Sequence, residues 1–198
     1  MFDSFNPDSA RDGLLPPRVS ISADLDRADD TLARSREIGT LAHRAVANLA
    51  AVTLNPWPEQ IKSEIDCCLS KFRPIERRAH RQNLTGAVCA YFWHLLPPTG
   101  WLFRGSEVHL GQGRVDLLWQ DAEDQWLVDE LKVGQGSGLR TTAVRHQVQG
   151  YITAGASTWG DSFVGVRLLT TGDPSASVFA ASGKPWVPLH STTHVRSI

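Results

Sequence analysis

Between residues 31 and 52, the apolar positions Ile38, Leu41, Ala42, Ala45, Val46, Leu49 and Val52 fall at i, i+3, i+4 and i+7 spacing. That period predicts an amphipathic helix. Asp29, Asp30 and Thr31 offer N-cap chemistry, and Asn55-Pro56 ends the segment. Ile61, Ile65, Cys68, Leu69 and Phe72 repeat the period and predict a second helix over 59–72. Pro74 suits the first turn of a third, which runs to about Leu96 and is stopped by Pro97-Pro98. The texture changes at Trp101. Segments 101–109, 113–120 and 125–133 are short, apolar-rich and separated by turn residues, the signature of three strands in a meander. Gly134 to Gly138 reads as a loop, 140–157 as a helix and 162–170 as a strand. Residues 176–189 predict a last hairpin turning at Ser182-Gly183. The order ααα-βββ-α-β(ββ) predicts one α/β domain with a mixed sheet over 29–198. Residues 1–28, with three prolines and scattered aspartates, read as a poorly ordered acidic arm docking at most through Val19-Ser20-Ile21.

Composition narrows the class. Apolar residues make up 41% of 198, enough for a core, and nothing approaches the run of about 18 apolar residues that a membrane span needs. The N-terminal stretch is acidic and lacks the basic-then-apolar pattern of a signal peptide, so a cytoplasmic location is expected. Net charge is −1, but residues 1–30 hold seven Asp against three Arg, which leaves the body mildly basic. A basic body permits nucleic-acid binding without requiring it. Cys67, Cys68 and Cys89 form neither a disulfide framework nor a C-x2-C zinc pattern, and read as reduced structural thiols.

The chemistry concentrates on two predicted strands. Glu130 and Lys132 are two apart, so both leave the same face, while Leu127, Leu131 and Val133 point to the opposite, buried face. Asp116 lies on the preceding strand, where a hairpin brings it beside Glu130. Two carboxylates in a small space repel, and a divalent cation with a taste for oxygen ligands, Mg²⁺ or Mn²⁺, relieves that repulsion. A cross-strand Asp–Lys–Glu salt bridge is the plainer reading of the same three residues.

Asp116 followed after 13 residues by Glu130-Leu131-Lys132 resembles the PD-(D/E)XK nuclease superfamily. The chain is also similar to the RecB/Cas4-like branch. Gly39-Thr-Leu-Ala-His43 stands where that branch has G-x-x-x-H on a helix before the strands. Gln147-Val-Gln-Gly-Tyr151 stands where it has Q-x-x-x-Y on the helix after them. The order is complete over about residues 31–170. The strand-two site reads Val115-Asp116 rather than Pro-Asp, a position that varies in the superfamily. The resemblance implies a restriction-endonuclease-like fold and metal-dependent hydrolysis of DNA. Asp116, Glu130, the Leu131 carbonyl and His43 would be metal ligands, and Lys132 the residue that orients or deprotonates water. Gln147 and Tyr151, one turn apart on one face, would hold the scissile strand or orient Lys132. Gly39, one turn before His43, would leave room for the imidazole, and a nitrogen ligand tilts the site toward Mn²⁺. Three cysteines cannot supply the four that hold the iron–sulfur cluster of some relatives, so none is expected. The chain is too short for a helicase, and a motor or other repair or defence machinery would come from a partner.

Other features are weighed beside these. Gly134-Gln-Gly136-Ser-Gly138 imitates a dinucleotide loop but follows a meander, the wrong context, and reads as a loop near the site. Lys71, Arg73, Arg77, Arg78, His80 and Arg81 either track a nucleic-acid backbone or form a solvated helix face. Arg145 and His146 either touch phosphates or are simply exposed. Trp101, Trp119 and Trp126 read as core. An RNA-directed nuclease, or a catalytically silent nucleic-acid-binding subunit of the same fold, remains an alternative to a deoxyribonuclease.

Overall fold

The structure is a computed structural model that describes residues 21–134, 139 and 141–189. The loop positions 135–138 and residues 1–20 of the predicted arm lie outside the described residues. The chain divides into two units between Ala33 and Arg34, and the sheet and its packed layers belong to the larger, Arg34–Ile198.

Helix α1 (Ile21–Ala50) starts ten residues earlier than its apolar period. Residues 22–35 contain neither Gly nor Pro, so no backbone chemistry stops the helix at Thr31, and the arm predicted over 1–28 is helical from Ile21. At the other end Val52 falls beyond the helix and is exposed, whereas Ala42, Ala45, Val46 and Leu49 are buried as the period requires. Helix α2 (Pro58–Cys68) begins with proline at its first position, and the Gln60 side chain accepts a hydrogen bond from the Trp57 amide at 2.8 Å. Helix α3 (Pro74–Ala90) repeats the device, with Glu76 accepting from the Arg73 amide at 2.9 Å. It runs on into a π-helical turn, Tyr91–Leu95, before Pro97 ends it.

A six-stranded sheet comes next: β1 (Leu102–Leu110), β2 (Gly113–Gln120), β3 (Trp126–Lys132), β4 (Phe163–Thr170), β5 (Val178–Ala180) and β6 (Val187–Pro188), in that spatial order. The pair β3–β4 is parallel and all others are antiparallel, so the sheet is mixed. Helix α4 (Thr142–Trp159), with Thr141 accepting from the Val144 amide at its start, connects the parallel pair.

Two apolar layers sandwich the sheet. On one side Leu117, Trp119, Leu127, Leu131 and Leu169 pack against α1–α3. On the other Val115, Val128, Val166 and Leu168 pack against Val148, Tyr151 and Ile152 of α4. Both faces of β3 are therefore covered. Glu130, whose face was set against a buried one in the sequence, is itself buried, beneath α4 rather than at the sheet surface. The tryptophans follow the core reading: Trp119 is fully buried, Trp101 packs against the first layer and Trp126 stacks on Trp159. All three cysteines are free; Cys68 is buried but Cys67 is exposed, outside the structural-thiol reading.

Candidate metal centre

The site is assembled at the β2–β3 junction, closed by α1 from one side and α4 from the other. The antiparallel ladder between β2 and β3 ends at Leu117 and Asp129, and Asp116 and Glu130 are the next residues of the two strands beyond it. Asp116 Oδ2 accepts the Leu131 amide at 2.6 Å, which ties the carboxylate to β3 and leaves Oδ1 facing His43. His43 reaches over from α1: Nδ1 stands 3.1 Å from Asp116 Oδ1 and Nε2 lies 2.8 Å from the Leu131 carbonyl. An imidazole donating to both oxygens is a cation. Burial alone would lower the His43 pKa, but the hydrogen bond and charge of Asp116, the charge of Glu130 and the Leu131 carbonyl outweigh it, and the net direction is up.

The second half of the cluster hangs on Glu130. Lys132 Nζ donates to Glu130 Oε1 at 2.6 Å, and Gln147 Nε2 donates to the same oxygen at 2.9 Å. Gln147 also lies 2.9 Å from the Tyr151 hydroxyl and 3.4 Å from Lys132 Nζ. Tyr151 in turn donates to the Arg114 carbonyl at 2.6 Å. Burial, followed by the charge of Asp116, pushes the Glu130 carboxyl up to about 7 against the pull of Lys132. Burial and the charge of Glu130 push Tyr151 up to about 12, so it works as a neutral hydroxyl. Glu130 Oε2 is buried and has no hydrogen-bond partner. A buried, unpartnered carboxylate oxygen is costly unless something positive completes it.

The sequence-predicted site residues thus form two adjoining hydrogen-bonded groups, His43, Asp116 and Leu131 in one and Glu130, Lys132, Gln147 and Tyr151 in the other, joined by the β3 backbone at Glu130-Leu131 and by the charges of Asp116, Glu130 and His43. The ligand geometry differs from expectation in one respect. The donor atoms lying within 4.8 Å of one another belong to His43, Glu107 and Asp116; Glu130 is not one of the three. Sequence reasoning missed Glu107, an acid in an unremarkable strand segment. The role given to Gly39 also fails: a Cβ there would meet nothing within 4 Å, so His43 does not depend on its absence. Gly113 matters instead, since a Cβ at that position would stand 2.8 Å from the Tyr151 ring.

Behind the site sits a second network that sequence reasoning passed over. Asp129, fully buried, accepts from Arg167 Nε at 2.7 Å and Nη2 at 2.6 Å, from the Tyr91 hydroxyl at 2.8 Å and from Trp119 Nε1 at 2.9 Å. Its signal was available: Arg167 stands alone among apolar residues, in register with Asp129 on the adjacent strand. The basic stretch, by contrast, is largely spent on local structure. Arg77 donates to the Ser70 and Phe72 carbonyls, Arg73 pairs with Glu76, and Arg81 pairs with Asp66. His80 is buried edge-on against Phe72 and faces Glu37. Among the residues of that stretch, Lys71, Arg73, Arg77 and Arg78 are exposed. Arg145 lies over the Trp186 ring.

The donor set suits a hard divalent cation. Carboxylates and a backbone carbonyl are ligand types that Mg²⁺ and Mn²⁺ accept, and the His43 imidazole, which here donates to two of those oxygens, would have to lose a proton to join them. Compared with models of protein families, with curated proteins and with solved structures, the chain has no significant match.

Proposed function

We propose that the protein is a metal-dependent deoxyribonuclease of the PD-(D/E)XK type, similar to the RecB/Cas4-like branch, with a restriction-endonuclease-like arrangement of its sheet. One observation carries the reading. Residues spread from His43 to Tyr151, on α1, β2, β3 and α4, meet in two adjoining hydrogen-bonded groups, one on Asp116 and one on Glu130 and Lys132, whose charges act on each other. A plain salt bridge along β3 accounts for Glu130 and Lys132. It does not account for an unpartnered buried carboxylate oxygen or a histidine bridging Asp116 and the Leu131 carbonyl.

Asp116, Glu130, the Leu131 carbonyl and His43 would hold Mg²⁺ or Mn²⁺. When bound, such a cation supplies Lewis-acid activation of water and neutralises charge on a phosphodiester. Lys132 lies between Glu130 and Gln147, which fix its ammonium at the rim of the site, one-third exposed and within reach of substrate. From there it orients the attacking water and offsets negative charge developing on the phosphate oxygens. Gln147 and Tyr151 hold Lys132 and Glu130 in place and border the path of the scissile strand.

The test is cleavage of linear duplex, circular duplex and single-stranded DNA, with RNA in parallel, under Mn²⁺, Mg²⁺ or EDTA. Metal-dependent cutting of DNA that Lys132→Ala and Glu130→Ala abolish is the expected result. Folded variants that cleave as well as the parent would overturn the mechanism. Failure of the folded parent to cut under any condition would transfer the reading to a non-catalytic nucleic-acid-binding subunit, or to a nuclease completed by a helicase or other partner.

A further inference from the structure

Glu107 sits in the middle of β1 with φ of +52°, the left-handed region that non-glycine residues rarely occupy inside a strand. Ser106 pairs with Leu117 and Val108 with Val115, so the ladder sets Glu107 directly opposite Asp116. Two carboxylates at directly opposed positions repel. His43 relieves Asp116 at 3.1 Å, but the ion pair of Glu107 itself is weak: Arg114 Nη1 is 3.7 Å from Glu107 Oε2, with both side chains more than half exposed. Local preference and electrostatics both disfavour this arrangement, yet it brings a Glu107 oxygen within 4.8 Å of both His43 and Asp116. A separate observation also points to a missing cation nearby. On the strand flanking Asp116 from the other side, Glu130 carries an oxygen that is buried and has no partner.

From this we infer that Glu107 is a ligand of the divalent cation, supplied by β1, so that the metal is gripped from three adjacent strands and from α1. The inference rests on the proposed metal centre and adds to it a residue that the sequence motifs do not include. It also explains why β1 tolerates a left-handed glutamate. The conformation aims the carboxylate at Asp116 and His43, and metal binding offsets the repulsion. Backbone strain of this kind persists where the surrounding structure imposes it, and it gathers at binding sites.

The experiment is calorimetric titration of the full-length protein with MnCl2, together with thermal melts in EDTA. The samples are the parent, Glu107→Gln, Glu107→Gly, Asp116→Asn and, as a remote acidic control, Glu123→Gln. Glu107→Gln is expected to weaken Mn²⁺ binding about tenfold or more, in line with the loss of one ligand from a small set. Glu107→Gly removes the carboxylate and the left-handed strain together. It is expected to melt at a higher temperature than the parent in EDTA while binding Mn²⁺ as poorly as Glu107→Gln. Asp116→Asn should abolish binding and Glu123→Gln should leave it unchanged. If both Glu107 variants bind Mn²⁺ with the parent's affinity while Asp116→Asn does not, Glu107 is no ligand and the inference fails alone. If the folded parent binds no Mn²⁺, the metal centre itself is refuted, and the role of Glu107 with it.

Discussion

Glu130 is the residue on which protons and metal compete. Its carboxyl titrates near 7, raised by burial and by Asp116, and the proton must leave before the group can act as a ligand. A carboxyl whose folded pKa lies above its unfolded value of 4.5 stabilises the fold fully below that value. It loses that contribution as pH rises through about 7. The metal-free protein therefore gives up stability from this residue over the same window in which the site becomes competent to bind. Mn²⁺ affinity should rise at least about tenfold between pH 6 and pH 8: a group with a pKa near 7 is one-tenth ionised at the lower value and nine-tenths at the higher, and His43, if a ligand, must lose its proton as well. Titrations in buffers of different ionisation enthalpy would count the protons released, and an affinity flat across that range would remove Glu130 from the ligand set. Tyr151 offers a second test at this scale. A Cβ on Gly113 would stand 2.8 Å from its ring, and an aromatic ring in a packed layer cannot give way as a flexible chain does. Gly113→Ala should cost about 1–3 kcal/mol as an overpacked site. Most of that cost should vanish in a Tyr151→Ala background. Urea melts of the four proteins in the cycle decide it, and additive costs would show that the ring and the glycine are independent.

Among the elements, β3 carries both the site and its foundation, on alternate residues. Glu130 and Lys132 face α4, while Asp129 faces the other layer and is locked there by Arg167, Tyr91 and Trp119. The π-helical turn that begins at Tyr91 is the place where the helix hands that hydroxyl to Asp129. Because all the partners are buried, removing one leaves an uncompensated charge. Arg167→Ala should destabilise the fold by about 3–5 kcal/mol, and replacing Asp129 and Arg167 together with Leu and Met should cost clearly less than the single change. A double variant as unstable as the single one, measured by chemical denaturation, would show that packing and not charge is the source. This network also marks what was legible in the sequence. The alternation of β2 and β3, the helical period of α2 and the proline starts of α2 and α3 are local signals, and they placed those elements to within a few residues, as the period of α1 did for its C-terminal half. Asp116, Glu130 and Lys132 were legible because three polar groups interrupt apolar strands at positions the pleat puts together. Glu107 was not, because its approach to Asp116 depends on the register of β1 and a left-handed backbone, neither of which composition reveals. The early start of α1 was missed for the opposite reason. Ile21, Leu25, Ala28 and Leu32 fall at helical spacing, but the prolines and aspartates around them were given more weight.

At the scale of the molecule, the candidate centre is where distant parts of the chain are fastened together. His43 comes from the N-terminal helical layer, Asp116 and Glu130 from the sheet and Gln147 from the helix that covers the sheet's other face. A cation held there would tie both layers to the sheet at one point. Anything that binds the folded state and not the unfolded chain stabilises the fold by mass action, about 2.7 kcal/mol at a free concentration one hundred times the dissociation constant. In a domain of this size, each kcal/mol is worth about 2–4 °C of melting temperature. Saturating Mn²⁺ should therefore raise the midpoint by about 5–10 °C at that ratio. The rise should reverse in EDTA, be absent in Asp116→Asn and grow with the logarithm of metal concentration. Calcium, which accepts the same oxygens at longer distance, should stabilise less if the imidazole of His43 is a ligand, because nitrogen suits Mn²⁺ better. Equal shifts from Ca²⁺ and Mn²⁺ would identify an all-oxygen site with His43 standing outside it, bridging Asp116 and the Leu131 carbonyl as a structural cation. No shift from either ion would leave the cluster as a buried salt-bridge network, and the nuclease reading would lose its metal.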